Sequence, residues 1–213
     1  MLDKSVEYKN IIMRCDDNPS ESLILPELPM YFTCKFFTPI DIKHWGRILA
    51  SVLEFDSEDL ATSYFKAAYM PYLEELQKRC IFVLNPDGIP IATAIAWFAE
   101  SELGRQASLH WVAVCPEYQG KGFGKFVTVK ALKIFSSLEP NLPIWLHTQT
   151  WSHVAVRLYR SLGFSIVRTE RLANNNTRNG KLKIYENDFP VALHVLKAKM
   201  KTDFIEELFN TSV

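Results

Sequence analysis

Three glycines alternate at positions 120, 122 and 124, between a β-branched run and an amphipathic helix. No other stretch constrains the fold as much. It reads Trp111-Val-Ala-Val-Cys-Pro-Glu-Tyr-Gln-Gly-Lys-Gly-Phe-Gly-Lys125. A strand that runs into Pro116 ends there, because proline has no N–H for a ladder. Glycine lets the chain turn sharply and lets a ligand approach backbone amides with no Cβ in the way. The first turn of the following helix carries unpaired N–H groups and a partial positive charge. Strand, glycine turn and helix start together make an anion site of the kind that holds phosphates. Lys121 and Lys125 add positive charge beside it.

Two common phosphate patterns do not fit. For the P-loop spacing, Gly120 and Gly124 stand one residue too close, and Phe126 follows Lys125 where Ser or Thr is needed. For the dinucleotide fingerprint, Lys125 occupies the third glycine position. The pattern that fits is [Q/R]xxGx[G/A], spelled here Gln119, Gly120, Lys121, Gly122, Phe123, Gly124.

The rest of the chain supplies a mixed α/β framework. Residues 6–38 read as interrupted strand, with a strand over 31–37. Apolar spacing of three and four predicts a helix over 39–55. A second helix is predicted over 57–78, with Ser57 as N-cap. Residues 80–84 and 89–98 form a hairpin about Asn85-Pro86-Asp87-Gly88. A strand over 108–114, a helix over 122–138, a strand over 143–148, a helix over 154–162 and a strand over 164–170 follow. Residues 174–180 read as a polar loop. After Pro190 the pattern suits a strand running into a C-terminal helix. Helices first, then a meander, then β-α-β-α-β, predicts a sheet with helices on its faces.

Composition excludes several classes. Nearly half of the 213 residues are hydrophobic and 13% are aromatic, which argues against disorder. Lys plus Arg equals Asp plus Glu at 24 each, so no net field attracts nucleic acid or an anionic membrane. There is no apolar run of membrane-spanning length and no signal-like start. Cys15, Cys34, Cys80 and Cys115 lack metal-site spacing and read as buried free thiols. The expectation is a cytoplasmic protein without a metal.

A second motif lies some distance downstream, Ala155-Val-Arg-Leu-Tyr159-Arg-Ser-Leu-Gly163-Phe164. Together with residues 119–124 it resembles the GNAT superfamily of acyl-CoA N-acyltransferases, over roughly residues 82–164. Many members carry Asn where this chain has Ser152. The resemblance implies one domain over 1–213, with an N-terminal extension of about 30 residues and a tail from about 190. It implies a mixed, mostly antiparallel central sheet with helices on both faces and a splay between its fourth and fifth strands. It implies acetyl-CoA as cosubstrate and a primary amine, small molecule or peptide, as acceptor, attacking directly in a ternary complex. A non-catalytic acetyl-CoA-binding module is the alternative. No nucleic acid, membrane or metal partner is implied, and a homodimer is left open.

The resemblance also distributes roles. Gln119, Gly120, Lys121, Gly122, Phe123, Gly124 and Lys125 would hold the pyrophosphate. Val112 and Val114 would bind the pantetheine arm and acetyl carbonyl through main-chain amides, and Ser152 and Ala155 would line the same ligand. Tyr159 would be the general acid, since a phenol of pKa about 10 suits a thiol leaving group. A packed core aromatic is its plainer reading. His110 is the candidate base or proton relay, with Glu54, Glu100 or a water chain left open. Strand alternation places Ser108, His110, Val112 and Val114 on one face. The acceptor pocket is expected to use Phe55, Trp97, Gln149 and Trp151, from a wider set including Trp45, Phe65 and Tyr69, with His147 near the acetyl group.

Overall fold

The structure, a computed structural model, describes residues 2–101, 104–174 and 183–213. The side chains of residues 100, 101, 104, 173, 174 and 183 lie outside that description. So does most of the polar loop expected over 174–180.

A seven-stranded sheet is the centre of the molecule. In chain order its strands are β1 (Asn10–Cys15), β2 (Thr33–Phe36), β3 (Cys80–Leu84), β4 (Pro90–Ser101), β5 (Gly104–Val114), β6 (Ile144–Gln149) and β7 (Ser165–Ile166). Their spatial order is β2-β3-β4-β5-β6-β1-β7, and β8 (Leu172–Asn174) and β9 (Lys183–Tyr185) form a separate pair. All of the pairs are antiparallel except β5 with β6. The mostly antiparallel mixed sheet is therefore the one expected.

Helices cover both faces. On one side lie α1 (Ile42–Ser51), α2 (Glu58–Ala68) and α3 (Leu73–Arg79). They bury Trp45, Phe65, Tyr69 and Leu76 against Phe82, Ile95 and Trp97 of the sheet. On the other lies α4 (Phe123–Leu138), with α5 (His153–Ser161), α6 (Val191–Leu196) and α7 (Thr202–Asn210). These pack Val127, Ala131, Phe135, Val156, Leu193 and Leu208 over Ala94, Leu109 and Leu146. The spacing of three and four in each helix is what turns one apolar stripe toward the sheet.

Local chemistry sets the boundaries. Ser57 Oγ accepts the Leu60 amide at 3.2 Å and starts α2. The helix expected over 57–78 is broken at Pro71, which has no N–H to donate and disfavours helix at the residue before it. Gly46 lets α1 and α2 approach closely, since a Cβ there would lie 2.3 Å from Thr62 Oγ1 and 2.9 Å from the Glu58 carbonyl. The hairpin turn is fixed by Asn85 Oδ1, which accepts from the amides of Asp87 and Ile89.

The N-terminal stretch, expected as an extension with interrupted strand, supplies β1, which lies inside the sheet, paired along its whole length with β6. Two expectations nearer the C-terminus change. The strand expected over 164–170 shrinks to two residues, beyond which the Arg168 amide bonds the Val213 carbonyl. After Pro190 there is no strand. The helical spacing of Leu193, Leu196 and Met200 prevails, because all three sit against the α4 side of the core.

Candidate active site

The parallel strands β5 and β6 are paired only at Ala107 with Ile144 and at Ser108 with Trp145. Counted from the strand near residue 31 they are fourth and fifth, and with β1 they are fifth and sixth. Beyond Ser108 they make no further pairs, and a cavity of about 340 Å³ lies at this point. Residues 108–112 of β5 and 147–149 of β6 line it, with Glu54 and Asp56 from the turn after α1 and Tyr159 from α5. Such openings at the carboxyl ends of strands are where α/β sheets bind ligands.

A bulge in β5 shapes this wall. The β4–β5 register shifts between Thr93 and Ile95, and Trp111 adopts a positive φ of 52°. An extra residue in one strand reverses side-chain alternation beyond it. Ser108, His110, Val112 and Val114 therefore do not share a face, contrary to simple alternation. Ala107 and Leu109 pack on the α4 side, and past the bulge so do Val112 and Val114. Trp111, Ala113 and Cys115 pack with α1 and α2.

His110 is held on both ring nitrogens. Nδ1 lies 2.9 Å from Tyr69 Oη, and Nε2 lies 3.0 Å from Ser108 Oγ. Trp111 Nε1 donates to the same Tyr69 oxygen at 2.7 Å. Burial pushes the imidazole pKa down to about 3, so the ring is neutral at ordinary pH. Tyr159 lines the cavity, and no hydrogen bond to its hydroxyl is made among the described residues. Burial, then the Glu54 carboxylate, push its pKa above the usual phenol range. Glu54 is itself raised by burial, against a hydrogen bond from Gln149 and the charge of Lys4. Gln149 is braced in turn, since its Oε1 accepts the Ser152 amide at 3.1 Å.

The glycine loop follows β5 directly. Gly120 and Gly122 have φ of 76° and 89°, and a Cβ on either would meet nothing within 4 Å. Positive φ explains glycine at both positions, and the open space is room for a ligand. Gly124 is different: a Cβ there would make only ordinary contacts, 3.7 Å from Leu158 and 3.8 Å from Val114. Helix α4 begins at Phe123 with no side-chain cap and no acidic residue in its first turn. Gln119 Nε2 donates to the Val114 carbonyl at 2.8 Å, and Lys121 Nζ to the Glu117 carbonyl at 2.9 Å. Lys125 is exposed and Phe123 is buried. The donor set and open cradle fit a diphosphate.

The cavity collects His110, Val112, Gln149, Trp151, Ser152, Ala155 and Tyr159 from the expected residues. Phe55 lines an adjoining hollow with Glu54, Asp56, Leu60 and Tyr64. Trp97 does not reach either hollow. It is 1% exposed, its ring edge-on to Tyr69 and stacked on Phe98. Trp45, Phe65 and Tyr69 are core residues as well. Aromatic side chains at helical spacing serve cores and pockets alike, so periodicity could not separate the two. Glu100 falls on a side chain outside the described part.

Sequence reasoning missed the N-terminal wall. Leu2, Lys4 and Tyr8 line the cavity, as do Leu172 and Tyr185. The Asp3 amide donates to the Trp151 carbonyl at 2.9 Å, and Trp151 Nε1 to the Val6 carbonyl at 2.8 Å. Tyr185 stacks on His147, whose Nε2 lies 2.8 Å from Asn10 Oδ1. No local motif marks such contacts, since those of the N-terminal segment join residues more than a hundred positions apart. Among the described residues no cluster could hold a metal ion, and no helix is long and apolar enough to cross a membrane. The four cysteines are free, three buried and Cys34 partly so.

A family model described as "Acetyltransferase (GNAT) family" matches residues 49–164, more than half of the chain. No curated protein sequence matches it. Among solved structures it is similar to a GNAT-family acetyltransferase from Colwellia psychrerythraea, with TM-score 0.56, 14% identity, and 78% of this chain and 55% of that one covered. It is similar also to a GCN5-related N-acetyltransferase from Sphaerobacter thermophilus, with TM-score 0.56, 17% identity, and 76% and 49% covered. A tandem GNAT protein from the clavulanic acid biosynthesis pathway gives TM-score 0.52 and 14% identity, with 76% and 51% covered. This chain thus spans about half the length of these structures, and at such identities they show the fold alone. The family match and the fold agree with the two motifs: the chain belongs to the GNAT acetyltransferase family.

Proposed function

We propose that the chain is an N-acetyltransferase that moves an acetyl group from acetyl-CoA to a primary amine by direct attack in a ternary complex. One observation carries this reading: a neutral histidine and a protonated tyrosine line one cavity, beside a strand that leads into the glycine loop. Residues 119–125 hold the pyrophosphate through the α4 amides and Lys121 and Lys125. The main-chain amides of Val112 and Val114 bind the pantetheine arm and polarise the acetyl carbonyl, and Ser152 and Ala155 line its path.

The amine nitrogen bonds to the carbonyl carbon, the C–S bond breaks, and the electron pair leaves on sulfur. Tyr159 gives the sulfur its proton. The raised pKa keeps that proton on the phenol until negative charge develops beside it. The amine proton leaves along the Ser108–His110–Tyr69 chain. An imidazole bonded at both nitrogens accepts a proton at one as it releases one at the other, which suits a relay better than an isolated base. Gln149, Trp151 and Phe55 face the acceptor.

The test is thiol release from acetyl-CoA across an amine panel, beside a binding isotherm for coenzyme A. Tyr159→Phe is expected to lower kcat by about 10²–10⁴-fold with coenzyme A affinity kept. Equal losses in both would remove the acid role. Tight acetyl-CoA binding with no transfer to any acceptor would make the chain a non-catalytic binding module.

A further inference from the structure

The acceptor side of the cavity has a charge pattern that narrows the amine. Glu54 and Asp56 are the residues shared by the main cavity and the adjoining hollow, so two carboxylates stand where the two spaces meet. Glu54 makes no ion pair among the described residues, and Gln149, whose Oε1 accepts the Ser152 amide at 3.1 Å, lines the same cavity.

The opposite charge is scarce. No arginine lines either space among the described residues, and Lys4 is the one lysine that does. Its ammonium lies over the Trp151 ring, 5.3 Å from the centroid. His110 is neutral. A ligand carboxylate would therefore meet two like charges and, among the described residues, the one cation Lys4, with the charge of the chain's amino group also acting on Glu54. A ligand ammonium would meet two carboxylates. The rest of the wall mixes aliphatic residues such as Leu49 and Leu53 and polar ones such as Ser108 and Thr148 with the rings of Tyr8, Trp111, Trp151 and Tyr185, and such rings suit both an apolar body and a cation. A volume of about 340 Å³ lies at the small end for ligand pockets and must also admit the acetyl end.

We infer that Glu54 anchors the ammonium of the acceptor, and that the acceptor is a compact amine with an aromatic or apolar body and no carboxylate. This rests on the acetyltransferase reading above and deepens it. Asp56 adds to the field that draws the cation in.

Matched acceptors test it. Phenethylamine and phenylalanine differ only by a carboxylate, and a short peptide adds bulk. Phenethylamine is expected to exceed both in kcat/KM by at least about tenfold. Glu54→Gln is expected to lose at least about tenfold in kcat/KM for phenethylamine, as removal of a charged hydrogen-bond partner does. Its coenzyme A affinity should stay that of the wild type, which also shows that the variant is folded. Preference for phenylalanine or the peptide would overturn the inference, and so would a Glu54→Gln enzyme as active as the wild type. Calorimetric titration of phenethylamine into the coenzyme A complex separates this from the proposed function. Wild-type binding that Glu54→Gln loses supports the anchor even where no acetyl group is transferred. Equal binding by both proteins, or by neither, sinks the anchor whatever the transfer assay gives.

Discussion

At the scale of single residues, the site works through environment more than through residue type. His110 would titrate near 6.5 in water, and burial holds it down to about 3. This has a consequence for stability. Between those two values the unfolded chain binds a proton that the native state lacks, so stability increases with pH across that window. It is fully present above about 6.5 and is lost as pH falls toward about 3. Replacing His110 with Gln removes this contribution. Denaturation midpoints at neutral and mildly acidic pH should then differ less in His110→Gln than in the wild type. Identical pH dependence in the two proteins would show that the imidazole is not held neutral. Tyr159 and Glu54 are displaced in the same sense, each toward its uncharged form by burial.

At the scale of elements, the decisive event is the bulge in β5. It turns Trp111 toward α1 and α2 while Val112 goes to the α4 side, and it lies beside the point where β5 parts from β6. The opposite end of that sheet region is held by charge. Glu139 follows the last turn of α4 and receives Arg79 Nη2 at 2.9 Å and Arg105 Nη2 at 2.8 Å. Arg79 also meets Glu75 at 2.7 Å, and both guanidinium groups lie over Phe98. The cluster ties α3, α4 and β5 together, and Arg79 and Glu139 are buried within it. Removing one partner leaves a buried charge uncompensated. Glu139→Gln is therefore expected to cost about 3 kcal/mol, the low end for a broken buried pair, because Glu75 still serves Arg79. Urea denaturation checks this, with a lower midpoint at unchanged slope. A cost near zero would mean that solvent screens the pair.

At the scale of the whole molecule, β1 is the unexpected member. It enters between β6 and β7, so the first strand in sequence completes the sheet beside the cavity. Ile11, Ile12 and Met13 are each at most 1% exposed. Burying three such side chains is worth roughly 5–9 kcal/mol, comparable to the whole stability margin of a domain. Deleting residues 2–15 is thus expected to abolish cooperative thermal unfolding, read by circular dichroism. Deleting residues 2–8 alone should leave a cooperative transition, since β1 remains, and should raise the KM for the amine because one wall of the cavity goes. If the longer deletion melted as the wild type does, β1 would be an ornament of the sheet.

Much of this was legible in the sequence because its cause is local. Positive φ at Gly120 and Gly122, the strand stop at Pro116 and the N-cap at Ser57 each follow from a residue and its near neighbours. The motif around Tyr159 was legible for the same reason. The glycine loop and the order of elements came from such signals, and the resemblance carried by the two motifs implied the fold class. What only the tertiary structure decided depends on residues distant in sequence. Sequence alternation could not show which of Trp97, Phe55 and Trp151 faces a cavity, since burial depends on what packs opposite. Nor could it show the bulge, because a bulge is a mismatch between two strands and belongs to neither alone. The N-terminal wall is made by contacts across most of the chain. The glycine loop could be read from a dozen consecutive residues; the cavity exists only once the N-terminal segment, α1, β5, β6 and α5 meet.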